Sequence, residues 1–278
     1  MTTPLPEDVP FEETRLAWQS AIEDFIDLVT PLSQEEWDAP TALPGWTVGD
    51  IVAHVAWIEG LFVGTVDPPH EPDWSALPHV RNDFGRITEI PVDLRRTWPR
   101  ERVLVELADV ASRRSADLQD GPQDASVEAV GPLGVAPLGR IVRMRAMDTW
   151  VHEQDIRDAL GRPGHLDTPG ARATAAQLLP GLPKVWVKGA GASPGEVLRL
   201  QVTGPELVAE MCVGVDESGR GRVIECPDSA TVSLGMPWTT YLALACGRGD
   251  LAQRRAEVTI EGDPALAAGT LDAFTIMI

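Results

Sequence analysis

The sequence predicts two parts: a four-helix bundle, followed by a smaller α+β domain. Two observations carry this. The first half repeats apolar residues at helical spacing over long segments, and after Gly164 the texture changes to short, Val-rich alternating runs. The expected division falls between residues 1–166 and residues 167–278, with the α+β domain starting near residue 168.

The elements follow in order. Residues 11–30 place Leu16, Ile22, Phe25, Ile26 and Val29 near one face of a helix. Ser33 and Glu36 have capping-box spacing for a short helix. Pro44-Gly45 breaks the chain, and Thr47 with Asp50 then starts a helix expected to run from Val48 to Val63. Residues 65–91 are proline-rich and read as a long connection with one short helix. A further helix covers about 99–118, and Pro99 is acceptable in its first turn. Residues 120–137 read as a loop, and the fourth long helix covers about 138–160, closed by Gly161 and Pro163. Four amphipathic helices with one long crossover make a bundle. Beyond Gly164, residues 195–204, 230–236 and 256–262 are strand-like, while 237–249 and 263–274 look helical.

Composition excludes several roles. The net charge is −19, which repels phosphate backbones, and no basic stripe offers a nucleic-acid surface. No apolar run reaches the roughly 18 residues of a membrane span. The N-terminal MTTPLPEDVPFEE lacks the basic and apolar regions of a signal peptide, so a cytoplasmic protein is expected. Lysine occurs only at 184 and 188 against abundant Arg, Ala, Gly and Pro, the composition of a GC-rich genome such as an actinobacterium's. Cys212, Cys226 and Cys246 are odd in number and lack metal-site spacing, so they read as buried thiols.

Two polar side chains, Asp148 and His152, stand one turn apart on the fourth long helix, in "MDTWVHEQDIRDALGRPG". Ile141, Met144, Val151 and Ile156 mark the buried side of that helix, and Asp148 follows Met144 by four residues. On the second long helix His54 shares the stripe of Ile51, Ile58 and Leu61. All three polar groups then face the interior, where an unpaired carboxylate or imidazole is costly. Two histidines and a carboxylate from two helices form a divalent-metal ligand set with open positions. Simpler readings stand beside it: Asp148 paired with Arg145, and His152 paired with Asp155. Arg145 and Arg157 read first as ordinary surface arginines. His70, His79 and His165 read as exposed or structural, and Glu153 points about 100° away from His152.

The segments "LPGWTVGDIVAHVAWIEG" and "MDTWVHEQDIRDALGRPG" resemble the two signature segments of the mycothiol-dependent maleylpyruvate isomerase family, whose N-terminal domain is a DinB-like metal-binding four-helix bundle. The resemblance covers roughly residues 10–165, and the C-terminal part is similar to the family's sterol-carrier-like α+β domain. It implies a divalent metal, zinc first among them, held by His54, Asp148 and His152. The family carries glutamate where this chain has Asp148, whose carboxylate reaches about 1.5 Å less. The resemblance also implies mycothiol as thiol cofactor and an electrophilic or unsaturated acid as substrate. A metal-favoured thiolate adds to a conjugated double bond, the bond rotates, and elimination restores it in trans; a thiol S-transferase would stop after the addition. An anionic substrate needs a local cation besides the metal: Arg248 in "ACGRGD" is the expected catalytic candidate, and Arg145 and Arg157, flanking the metal pair, are others. The alternative is a non-catalytic binder of a small molecule or protein.

Overall fold

The computed structural model describes residues 9–132, 134–204 and 208–276. They form two compact units, residues 10–173 and residues 174–276 with Val9.

The first unit is built on α1 (Phe11–Val29), α3 (Val48–Phe62), α5 (Arg100–Asp120) and α6 (Leu138–Ala159). α1 lies against α6 and α3 against α5, while contacts of α1 with α5 and of α3 with α6 close the ring. The buried side of α1 runs through Phe11, Ala17, Trp18, Ile22, Phe25 and Val29. Leu16, expected on that side, is 46% exposed because it sits one residue, about 100°, before Ala17. Phe25, Ile51, Val52, Leu107 and Val142 bring the four helices into one core.

The capping signals are realised at both places. The Ser33 box opens α2 (Gln34–Trp37). At α3 the Thr47 hydroxyl accepts from Asp50 N–H at 3.3 Å, and Asp50 accepts from Thr47 N–H at 2.9 Å. α3 is buried nearly all round. Leu61 at its end is the departure from the expected stripe, at 44% exposure.

Two expectations fail in this unit. The connection 65–91 carries a single 3₁₀ turn at Trp74–Ala76 and then α4 (Asp83–Arg96), a full helix against α3. Asn82 caps it by accepting from Gly85 N–H at 2.7 Å. Pro91 removes one helical donor from its middle. The helix is held in place by Arg95, 2% exposed, which forks to Asp67 at 2.8 and 2.9 Å and to Glu106 at 2.8 and 2.6 Å. The expected loop 120–137 contains a hairpin, β1 (Glu128–Gly131) antiparallel to β2 (Gly134–Pro137).

After α7 (Pro169–Leu178), the second unit continues through α8 (Leu182–Lys184) and a π turn at Val185–Gly189. Its sheet contains β3 (Val197–Thr203), β4 (Val208–Val215), β5 (Gly221–Ile224), β6 (Val232–Pro237) and β7 (Thr259–Gly262) in the order β5-β4-β3-β6-β7. Every pair is antiparallel except the central β3–β6 pair, which is parallel, with Leu198 beside Val232 and Leu200 beside Leu234. Helices α9 (Trp238–Cys246), α10 (Leu251–Ala256) and α11 (Pro264–Asp272) complete the α+β fold. Strands β4 and β5 carry no strand signal in the sequence reading. Cys212 and Cys226 are also a correction: they form a disulfide, and Cys246 alone remains a buried thiol. Pairing of Cys212 with Ile224 across β4–β5 puts Cys226 just past the strand end, with the Cα atoms 5.1 Å apart. No described helix is long and apolar enough to cross a membrane.

Gly262 ends β7 at φ +94°, and a Cβ there would run into the Thr231 carbonyl oxygen. Gly262→Ala is expected to destabilise the second unit by roughly 2 kcal/mol or more. A denaturant midpoint equal to wild type would refute this.

Candidate metal centre

Helices α3 and α6 bring His54, Asp148 and His152 together, with one ligand atom from each lying within 4.8 Å of the others. His54 and His152 are 5% and 6% exposed. His54 Nε2 stands 3.6 Å from Asp148 Oδ2, and His152 Nε2 stands 3.8 Å from Asp148 Oδ1. These gaps are too long for good hydrogen bonds. They approach the separation of about 3.4 Å between two ligands bound tetrahedrally at about 2.1 Å. The imidazoles meet edge to face with centroids 5.0 Å apart.

Electrostatics prepare the groups for coordination. Burial pushes the His54 pKa down, so the ring is held neutral with a lone pair available. Burial alone would raise that of Asp148, but Arg145, His152 and His54 outweigh it and hold the carboxyl well below the usual range. Nδ1 of His152 lies 3.1 Å from Asp155 Oδ2, and donation there leaves Nε2 free to face the cluster. Nδ1 of His54 is buried without a partner among the described residues.

Arg145 corrects the sequence reading. It is 1% exposed and lies inside the bundle. Its Nε donates to Glu59 Oε1 at 2.8 Å and its Nη1 to Asp148 Oδ2 at 2.7 Å. Asp148 thus shows the Arg145 pairing, and His152 the Asp155 pairing, that were open as simpler readings. Neither removes the convergence on His54.

Residues 18–157 match the family model of the mycothiol maleylpyruvate isomerase N-terminal domain. The chain belongs to this family. Two Mycobacterium tuberculosis proteins described as uncharacterized are 27% identical to it over 141 residues, covering 50% of this chain and 53% of theirs. The chain therefore spans about half the length of the curated relatives it matches. Crystal structures of the mycothiol-dependent maleylpyruvate isomerase and of a histidine-to-alanine mutant superpose with a TM-score of 0.56. They are 17% identical and cover 93% of this chain and 95% of theirs, a likeness of fold. A Helicoverpa armigera sterol carrier protein domain reaches a TM-score of only 0.29, at 13% identity over 40% of this chain and 93% of that one, and carries no argument about the second unit.

Within this family member, the surroundings of the trio were the part missed from sequence. Trp46 has its ring centroid 5.2 Å from that of His54 and 6.4 Å from that of His152, and Trp57 lies 6.0 Å from His54. Trp46 is oriented by donation from Nε1 to Glu89 on α4 at 2.8 Å, and Arg96 holds the same Glu89 at 2.7 Å. The only available signal was a charge on each buried stripe: Glu59 near His54, and Arg145 three residues before Asp148. The remaining candidates go elsewhere. His70 pairs with Asp93 at 2.7 Å and His79 with Glu89 at 3.1 Å. His165 pairs with Glu153 at 2.9 Å, and Arg157 donates to the same Glu153 at 2.7 Å. Arg248 belongs to the second unit, half-buried after α9, with Nη1 donating to the Cys246 carbonyl at 2.7 Å.

Asp155→Asn keeps the shape but weakens the acceptor behind His152. Affinity for zinc is expected to fall about 10–100-fold. Calorimetric titration with wild-type affinity would remove Asp155 from this role.

Proposed function

We propose that this protein is a mycothiol-dependent divalent-metal enzyme, with zinc held by His54, Asp148 and His152. It acts as a cis–trans isomerase of a maleylpyruvate-like unsaturated acid, or transfers the thiol to an electrophile. The observation that carries the reading is the convergence of two buried imidazoles and an ionised carboxylate, at ligand spacing, within the segment that matches the family.

The donor set fits a zinc ion. When bound, such an ion favours the thiolate form of a sulfur ligand at neutral pH. The chain's own residues do the rest. Burial keeps His54 neutral, Asp155 orients His152, and Arg145 keeps Asp148 ionised. Trp46 and Trp57 pack beside the His54 ring. No cysteine occurs before Cys212, so the first unit supplies no thiol of its own, which supports an external one.

The test begins with the whole 278-residue chain, metal analysis and a screen of unsaturated acids and electrophiles with mycothiol. Activity is expected to require both metal and thiol. Asp148→Ala is expected to lose metal and rate, and Asp148→Glu to retain metal. Metal content equal in wild type and Asp148→Ala would exclude Asp148 as a ligand, and turnover unaffected by chelation or by omission of thiol would sink the reading.

A further inference from the structure

The first unit contains a separate cavity of about 510 Å³, lined by none of the metal-centre residues. Leu61 and Phe62 at the end of α3, Val130 on the hairpin, and Leu138 and Ile141 at the start of α6 make its wall apolar. Arg114 of α5 is the one charged residue among the described residues that line it.

Arg114 is 8% exposed, yet no hydrogen bond or ion pair to it is found among the described residues. One face of its guanidinium lies 4.4 Å from the Phe62 ring centroid. Its Nε is buried and unpartnered. Burial lowers its pKa, and the through-space attraction of Glu59 and Asp117 does not make this up. Glu59 is already committed to Arg145 by its Oε1. An arginine this deeply buried with an unpartnered Nε is costly, and an anion is the partner that would satisfy it. The cavity volume is that of a small-molecule site, apolar with a single polar anchor.

We infer that this cavity binds a small organic acid, with its carboxylate on Arg114 and its apolar body against Phe62, Val130 and Ile141. The site is independent of the metal centre and of the proposed reaction.

Octanoate and octan-1-ol are suitable probes, titrated calorimetrically into the whole 278-residue chain with a chelator present, so that no carboxylate binds a metal ion. Wild type should prefer the acid by about tenfold or more, the scale of a charge-assisted hydrogen bond. Arg114→Met should abolish that preference while still admitting the alcohol, and Arg114→Lys should keep part of it. Val130 is 75% exposed on the cavity rim, so Val130→Asp should leave the melting temperature unchanged and weaken octanoate by repulsion. The Lys and Asp variants keep the test decisive if Arg114→Met does not fold. An acid that binds no better than the alcohol, or not at all, overturns the site, as does a preference that survives loss of Arg114. A large loss of stability in Arg114→Met, with no octanoate binding to wild type, would show that the arginine serves only to offset Glu59.

Discussion

Arg145→Met is expected to destabilise the bundle by about 3–5 kcal/mol, the cost of breaking a buried ion pair from one side. Arg145 is 1% exposed, and its removal strands Glu59, which is fully buried with one oxygen already unpartnered. Asp148 loses its strongest charge partner at the same time. Glu59→Leu combined with Arg145→Met replaces the pair by apolar groups and should recover most of the loss. Urea denaturation measures both. A single variant within about 1 kcal/mol of wild type, the scale of an exposed pair, would mean that the pair is not buried in solution.

His54→Ala is expected to weaken zinc binding by more than about 100-fold, beyond the effect of disturbing a residue behind a ligand. The consequence is visible in stability. Zinc at 100 times its dissociation constant adds about 2.7 kcal/mol to the folded state. That corresponds to a rise of about 5–11 °C in melting temperature for a unit of this size. The variant should show almost none of it while melting near metal-free wild type. An equal rise in both proteins would place the zinc elsewhere.

The four bundle helices were legible because their apolar stripes and caps agree: Thr47 with Asp50, and Ser33 with Glu36, do locally what the core requires globally. α4 was hidden because Gly85 and Pro91 interrupt it and its anchors, Asp67 and Glu106, lie outside it. The hairpin was hidden because four-residue strands with Val130 75% and Val135 65% exposed show no buried alternation. In the site, His54, Asp148 and His152 could be seen as inward polar groups at helical spacing. Arg145 could not be placed, since an arginine in a helix normally faces water; its burial depends on Glu59, 86 residues earlier. The disulfide was hidden for the same kind of reason, as only strand register brings Cys226 back to Cys212.

The parallel pairing of β3 with β6 constrains the order in which the second unit assembles. β3, β4 and β5 are consecutive antiparallel strands and can associate through short loops. β6 joins β3 only after the chain has passed through both of the others, so its contacts are rewarded after a larger loss of chain freedom. The Cys212–Cys226 bond, spanning 14 residues, lies wholly inside the early meander. Because both cysteines lie between β3 and β6, the bond also shortens the loop that β6 has to close. Reduction should therefore loosen the meander and slow the late docking of β6 on β3.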